Sequence, residues 1–378
     1  MPTSRWPAGW AASPGVASPS SRRSDPVTPR TTRVVCLVRR PDGEPLTGDF
    51  AVEERPLPSL GEGQLLVRNL YMSVDPSMRG RLESTEKHYT HNFTPGSPLD
   101  GRALGVVEES RCSSVPAGAY VRHQLGWRDW AVLDAADTDG AGRIDPELAP
   151  LPTWLGLLGQ TGFTAYVGLA RIAEIRPGDT VFVSAAAGAV GSAAGQFARL
   201  LGAERVVGTA GGPDKCALLV KEFGYDAAAD YRAEPVREAL ARMAPDGVDV
   251  YFDNVGGEQL AAALHALRTG GRVALCGMMS QFSGERRSVG TSQRSADINQ
   301  LIQAVLKRLT LRGFIVRDHE DLRAEFEERV AGWLRTGRIT ARETVVDGLE
   351  NAPGALLSLL DGGNVGKMLV RLGLGDSA

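Results

Sequence analysis

A short turn of small residues stands where a strand hands over to a helix. Residues 186–191 read Ala-Ala-Gly-Ala-Val-Gly, so Ala186, Gly188 and Gly191 have the G-x-G-x-x-G spacing with alanine in the first place. Small residues at such a turn let the backbone approach a pyrophosphate closely. The helix that follows offers free N–H groups and the positive end of its dipole. The chemistry implied is dinucleotide binding. A glycine pattern alone is weak evidence, and context decides its weight. Before it, the run TVFV at 180–183 is apolar and β-branched, which predicts a buried strand. After it, Val190, Ala193, Ala194, Phe197, Ala198 and Leu201 recur on one helical face. The stretch 179–202 therefore reads as strand, tight turn and helix.

The elements that must position this turn continue downstream. Short apolar runs at 205–208, 227–229, 248–253, 272–276 and 311–316 alternate with helical spacings at 214–223, 234–243, 257–267, 297–308 and 320–334. That alternation predicts a doubly wound parallel sheet, an α/β fold. Ligands of such sheets bind beyond the carboxyl ends of the strands. Those ends carry Gly188, Ala189, Val190 and Gly191 after the first strand, 208–215 after the second, and Tyr231 after the third. Asn254 follows the fourth. Cys276, Gly277, Met278, Met279, Ser280 and Gln281 follow the fifth, and Phe314, Ile315 and Val316 close the sixth. NAD enzymes place an acid about 20 residues past the glycines, at the second strand end. Here that end reads Gly208-Thr209-Ala210, with no acid, and Lys215 opens the next helix. A missing carboxylate beside an ammonium suits a 2′-phosphate, so NADP(H) is preferred. Asp214 reads as a helix cap. Each polar candidate has a plainer alternative: a solvated lysine for Lys215, a turn asparagine for Asn254, loop polar residues for Ser280 and Gln281.

Length and composition bound the rest. A chain of 378 residues exceeds a single core and predicts two domains. With 43% hydrophobic and 23% charged residues, it reads as a soluble globular protein. A net charge of −3 points to neither nucleic acid nor an acidic membrane surface, and no apolar run is long enough to span a membrane. Cys36, Cys112, Cys216 and Cys276 lie far apart, without metal-ligand or redox spacing. They read as reduced thiols, which fits a cytoplasmic setting. His88 and His91 form the one close histidine pair, with no third ligand evident, so no metal site is expected. Residues 1–31, rich in Ser, Pro and Arg, predict a disordered extension. Residues 32–152 carry short strands separated by Gly- and Pro-bearing turns, as in a small barrel-like domain. Residues 155–170 predict a linking helix. The tail, with strands at 344–346 and 367–372 and a helix at 352–360, is expected to return to the first domain.

The residues resemble a known family. Segments LYMSVDPSMRGRL (70–82), LGQTGFTAYVGL (158–169), SAAAGAVGSAAGQFARLLG (184–202), DGVDVYFDNVGGE (246–258), GRVALCGMMSQF (271–282) and GNVGK (363–367) are similar to the zinc-free medium-chain dehydrogenase/reductases. Within these the likeness is to the leukotriene B4 12-hydroxydehydrogenase, prostaglandin reductase, alkenal double-bond reductase and curcumin-reductase branch. It covers about residues 33–372. The resemblance implies a split, barrel-like (GroES-like) catalytic domain at 32–157 and 335–378, an NADP-binding Rossmann domain at 158–334, and a homodimer joined through the Rossmann sheets. It implies NADPH-dependent reduction of the C=C bond of α,β-unsaturated aldehydes and ketones, with no metal. Carried over position by position, Gly188, Ala189, Val190 and Gly191 match the pyrophosphate turn, and Lys215 and Tyr231 the 2′-phosphate side. Asn254, the run from Cys276 to Phe282, Phe314, Ile315, Val316 and Asn364 match the remaining cofactor contacts.

Two positions depart from the family pattern. Ser77 and Phe282 stand where the family usually has tyrosines that bind or protonate the substrate. Ser77 then becomes the catalytic candidate, with a turn serine as the plainer alternative, and the proton donor is open. Residues 86–93, with His88 and His91, read as a substrate-facing lid or as a surface loop. Two other functions stay open: an NADPH:quinone reductase of the same superfamily, and an NADP(H)-binding protein with little turnover.

Overall fold

The computed structural model of the chain describes residues 31–83, 90–138, 144–279 and 301–373. Fourteen strands are present among them, grouped in two six-stranded sheets and a two-stranded ribbon.

The parallel sheet has the order β12-β11-β10-β7-β8-β9, built from β7 (Thr180–Val183), β8 (Arg205–Ala210), β9 (Ala227–Asp230), β10 (Val248–Asp253), β11 (Leu267–Leu275) and β12 (Thr310–Gly313). The sequence order reverses at β7 and β10, which puts a crevice beyond their carboxyl ends. Both faces are covered, as a parallel sheet requires. Alternate residues show it. Val181, Val183, Val250 and Phe252 join Phe163, Phe197 and Phe326 in one apolar cluster. Phe182, Val207, Tyr251 and Val273 join Leu240, Met243, Ala263 and Leu264 in another.

The other large sheet runs β13-β14-β3-β4-β5, with β6 also paired to β3. Its strands come from both ends of the chain: β3 (Gln64–Ser73), β4 (Ala103–Ser110), β5 (Tyr120–His123) and β6 (Trp130–Asp134), then β13 (Glu343–Asp347) and β14 (Lys367–Arg371). β14 lies antiparallel to β3, with Leu369 opposite Ser73. A shared core explains why the tail returns. Leu37, Met72 and Trp127 pack with Leu349, Leu356, Leu359 and Val370. The ribbon is β1 (Thr31–Leu37) with β2 (Phe50–Pro56).

Nine α-helices are present among the described residues. They are α1 (Met78–Arg81), α2 (Gln160–Val167), α3 (Ala189–Leu200), α4 (Pro213–Glu222), α5 (Val236–Met243), α6 (Gly257–Ala266), α7 (Ile302–Leu306), α8 (Arg323–Arg335) and α9 (Ala352–Leu360). The expected fold class is the observed one. Details differ: β2 and β6 carry charged or short patterns that gave no strand signal, and the helix expected at 155–170 begins only at Gln160. Among the described residues, no helix is long and apolar enough to cross a membrane. Cys36, Cys112, Cys216 and Cys276 are all unpaired thiols.

Candidate cofactor and substrate cleft

A cleft of about 440 Å³ opens between the two large sheets, beyond the carboxyl ends of β7 and β10. Its walls hold Gly188, Ala189, Val190, Gly191, Lys215, Tyr231, Asn254, Cys276, Gly277, Met278 and Met279 from the parallel-sheet half. Ser77 and Asn364 face it from the other half.

The β7–α3 turn is shaped by close packing. Ala185 adopts φ 47°, a left-handed conformation that costs an alanine free energy and that the surrounding bonds must hold. Ala186 N–H donates to Thr209 O at 2.8 Å and Gly188 N–H to Ala185 O at 3.0 Å. A Cβ at Gly191 would stand 2.3 Å from Ala185 O, so no side chain fits there. A Cβ at Gly195 would stand 2.1 Å from the Tyr225 ring, whose hydroxyl donates to Gly191 O at 2.7 Å. These contacts press α3 onto the sheet and aim its N-terminal N–H groups into the cleft. The bare backbone and these donors fit a diphosphate.

At the second strand end no carboxylate lines the cleft beside Ala210 and Gly211. Lys215, in the first turn of α4, is half-buried and donates to Gly362 O at 2.5 Å. Burial, and then the charge of Arg232, pull its ammonium below the ordinary lysine range. Asp230, at the end of β9, accepts the Arg232 N–H at 3.0 Å and does not line the cleft, so the Lys215 cation on the cleft wall suits a 2′-phosphate. Tyr231 is exposed, with the Arg232 guanidinium 5.7 Å over its ring.

Asn254 is fixed rather than loose. Its Nδ2 donates to Ser184 O at 2.7 Å, and its N–H to Ser184 Oγ at 2.9 Å. Cys276 and Gly277 are anchored by N–H donation to Asp253 O at 2.9 and 3.0 Å. Burial, then the nearby Asp253 charge, push the Cys276 thiol up to about 12, so it stays protonated near neutrality. Asn364 Nδ2 donates to Gly366 O at 2.7 Å, and Gly366 N–H reaches across to Ala187 O at 2.8 Å. Gly366 and Gly188 thus form a parallel bridge between the two halves.

Ser77 precedes α1, lines the cleft and makes no side-chain capping bond. The turn carrying it is held by a pair that local spacing does not reveal. Lys367 Nζ, buried, donates to Val74 O at 2.7 Å, Met368 O at 3.0 Å and Asp75 Oδ1 at 3.2 Å. Ser73 Oγ donates to Asp75 Oδ2 at 2.6 Å. Burial opposes the Asp75 charge, but Lys367, Arg102 and Ser73 outweigh it and hold that carboxyl below its usual range. Thr161 and Thr164 of α2 also line the cleft and had no sequence signal.

Phe314, Ile315 and Val316 lie past the end of β12 and are not among the residues lining the cleft. Phe314 and Val316 pack against the core instead, and Phe314 meets His319 at a ring separation of 6.4 Å. Ser280, Gln281, Phe282 and His88 lie outside the described residues. Of the segment 86–93, Thr90 faces the cleft, and His91 Nε2 sits 2.7 Å from Asp100. Among the described residues, no group of three or more His, Cys, Asp or Glu is placed to hold a metal ion.

Known proteins share this arrangement. Residues 33–140 match the family described as the N-terminal domain of oxidoreductase, and residues 189–333 match the one described as zinc-binding dehydrogenase. The chain is 39% identical over 311 residues to a 2-alkenal reductase (NADP(+)-dependent) of Nicotiana tabacum, covering 82% of this chain and 88% of that one. It is 37% identical over 339 residues to the NADPH-dependent curcumin reductase of Escherichia coli K12, covering 89% and 95%. The crystal structure of CurA in complex with NADPH from Vibrio vulnificus matches with a TM-score of 0.82 at 37% identity, covering 90% of this chain and 99% of that one. The chain belongs to the zinc-free medium-chain dehydrogenase/reductases, in the branch of the curcumin and alkenal reductases, and is an NADP-dependent oxidoreductase.

Proposed function

We propose that the chain reduces the C=C bond of α,β-unsaturated aldehydes and ketones. The observation that carries this is one cleft joining the glycine turn and Lys215 to an apolar compartment around Ser77. Gly188 to Gly191 would hold the diphosphate of NADP(H), Lys215 and Tyr231 its 2′-phosphate, and Asn254, Asn364 and residues 276–279 the remainder. When bound, the nicotinamide supplies a hydride to the electron-poor β-carbon.

The chain's own residues do the rest. Val74, Met278, Met279, Leu359 and Met368 give the compartment apolar walls. The Ser77 hydroxyl hydrogen-bonds the substrate carbonyl oxygen, where negative charge develops, and the α-carbon then takes a proton from water, which completes the reduction. A donor already aimed there is the main electrostatic contribution to such a step. Lys367 and Asp75 hold the Ser77 turn in place. The protonated Cys276 thiol takes no nucleophilic part. The 2-alkenal and curcumin reductase names of the relatives support this substrate class.

We also propose a homodimer through the β12 edge. Among the described residues that strand has one pairing partner, and it is largely exposed. Beside it Leu301, Ile302, Val305 and Leu306 are 48 to 72% exposed.

NADPH consumption with an enone, an enal and a quinone, measured side by side, tests the substrate class. Turnover with the first two supports it. Turnover with the quinone alone assigns a quinone reductase, and none, despite NADPH binding, leaves a binding protein. Lys215→Ala should raise the NADPH KM about tenfold or more, the loss of one charge-assisted contact, while sparing NADH.

A further inference from the structure

Lys215 faces the cleft, yet its ammonium also reaches the opposite half of the molecule. It donates to Gly362 O at 2.5 Å. Arg232, on the turn after β9, reaches the same place: its Nη2 donates to Asp361 O at 3.3 Å. Asp361 and Gly362 end α9, with their N–H groups on Leu357 O and Leu359 O. Carbonyls just past a helix end lack intrahelical donors and carry the negative end of the dipole, so they attract cations. Asn364 follows, and then Gly366, which bonds Ala187 O. The 361–362 turn therefore lies four residues before the Gly366 bridge to the glycine turn.

On the cofactor side, Asp230 accepts the Arg232 N–H at 3.0 Å, and Arg232 and Tyr231 stand against Gly211. A Cβ there would stand 3.1 Å from the Arg232 guanidinium carbon and 3.3 Å from the Tyr231 hydroxyl. The charge of Arg232 is felt at Lys215, so the pair repel one another. Their bonds to the 361–362 turn are made against that repulsion. A phosphate dianion between them would reverse its sign. An ammonium has three N–H donors, and Gly362 takes one, so bridging is open to Lys215.

We propose that Lys215 and Arg232 form a latch: the 2′-phosphate of the bound dinucleotide steadies both cations on Asp361 and Gly362, and so closes the cleft. This rests on Lys215 and Tyr231 forming the 2′-phosphate side of the site. Arg232 is then a positioning residue, and a phosphate remote from the reacting atoms raises turnover as well as affinity.

Hydrogen exchange across residues 358–368 tests the latch in the whole protein, with adenosine 2′,5′-bisphosphate and 5′-AMP as probes at saturation. The bisphosphate should slow exchange there about tenfold more than 5′-AMP, within the range of typical coupling between sites. Arg232→Ala should remove that excess and Arg232→Lys restore part of it. Arg232→Ala should also lower kcat with NADPH severalfold. Equal protection by the two nucleotides, or an effect of Arg232→Ala on KM alone, overturns the latch. Binding titrations separate the two layers. If the bisphosphate binds tighter than 5′-AMP but protects no better, the 2′-phosphate site stands and the latch falls. If the two bind equally, both fall.

Discussion

His123 shows how one buried residue makes the antiparallel-sheet half sensitive to acid. It is 3% exposed, with Nε2 2.8 Å from Asn69 Oδ1 and Nδ1 accepting the Leu125 N–H at 3.1 Å. That network fixes a neutral ring. Burial, then the Arg128 charge, depress its pKa from 6.5 to about 3. The sign follows: below 6.5 the unfolded chain takes a proton that the folded chain refuses until about 3. Stability should fall by roughly 1.4 kcal/mol per pH unit across that window. Denaturant titrations of the wild type and His123→Gln, between pH 7 and about pH 4, check this. The wild type should lose the excess and the variant should not, and parallel curves would refute it. Residues also differ in how legible they are. Gly191 and Lys215 sit within a few positions of a strand end, so spacing alone singled them out and the structure brings them to one cleft. Asp75 and Lys367 meet across 292 positions of chain, and no local pattern encodes that.

Elements follow the same division. The strands and helices of the parallel sheet were readable because strands buried on both faces are continuous apolar runs and their helices have one apolar face. β6 was not, because WAVLD is short and half-exposed. Phe314, Ile315 and Val316 follow directly on β12, which stops at Gly313; Phe314 and Val316 pack on the core and Ile315 is exposed. β12 itself carries a prediction. An exposed edge strand flanked by Val305, 72% exposed, and Leu306, 60% exposed, invites pairing with a second copy. Charged groups there should prevent it at little cost to the fold, since neither side chain contributes to the core. Sedimentation of Val305→Asp/Leu306→Lys should show a monomer that melts like the wild type when both are dilute. A dimer that survives both substitutions would place the interface elsewhere.

The two halves share apolar material, so the whole molecule is expected to unfold as one cooperative unit. Leu104 of β4 and Leu369 of β14 belong to the same cluster as Val181 and Phe252 of the parallel sheet. Gln196 adds a polar tie, donating to Thr340 O at 3.1 Å and accepting the Thr340 N–H at 2.7 Å. Only the return of the tail makes this arrangement possible, because Leu369, Thr340 and Gly366 all lie beyond α8. A ligand in the cleft touches both halves and stabilises them together. NADPH at about a hundred times its Kd should add roughly 2.7 kcal/mol to the stability of the folded state. Calorimetry should therefore show one transition without cofactor and one transition, several degrees higher, with it. Two resolved transitions of which NADPH moves only one would mean that the halves unfold separately. The shared cluster would then be a contact between independent domains rather than a single core.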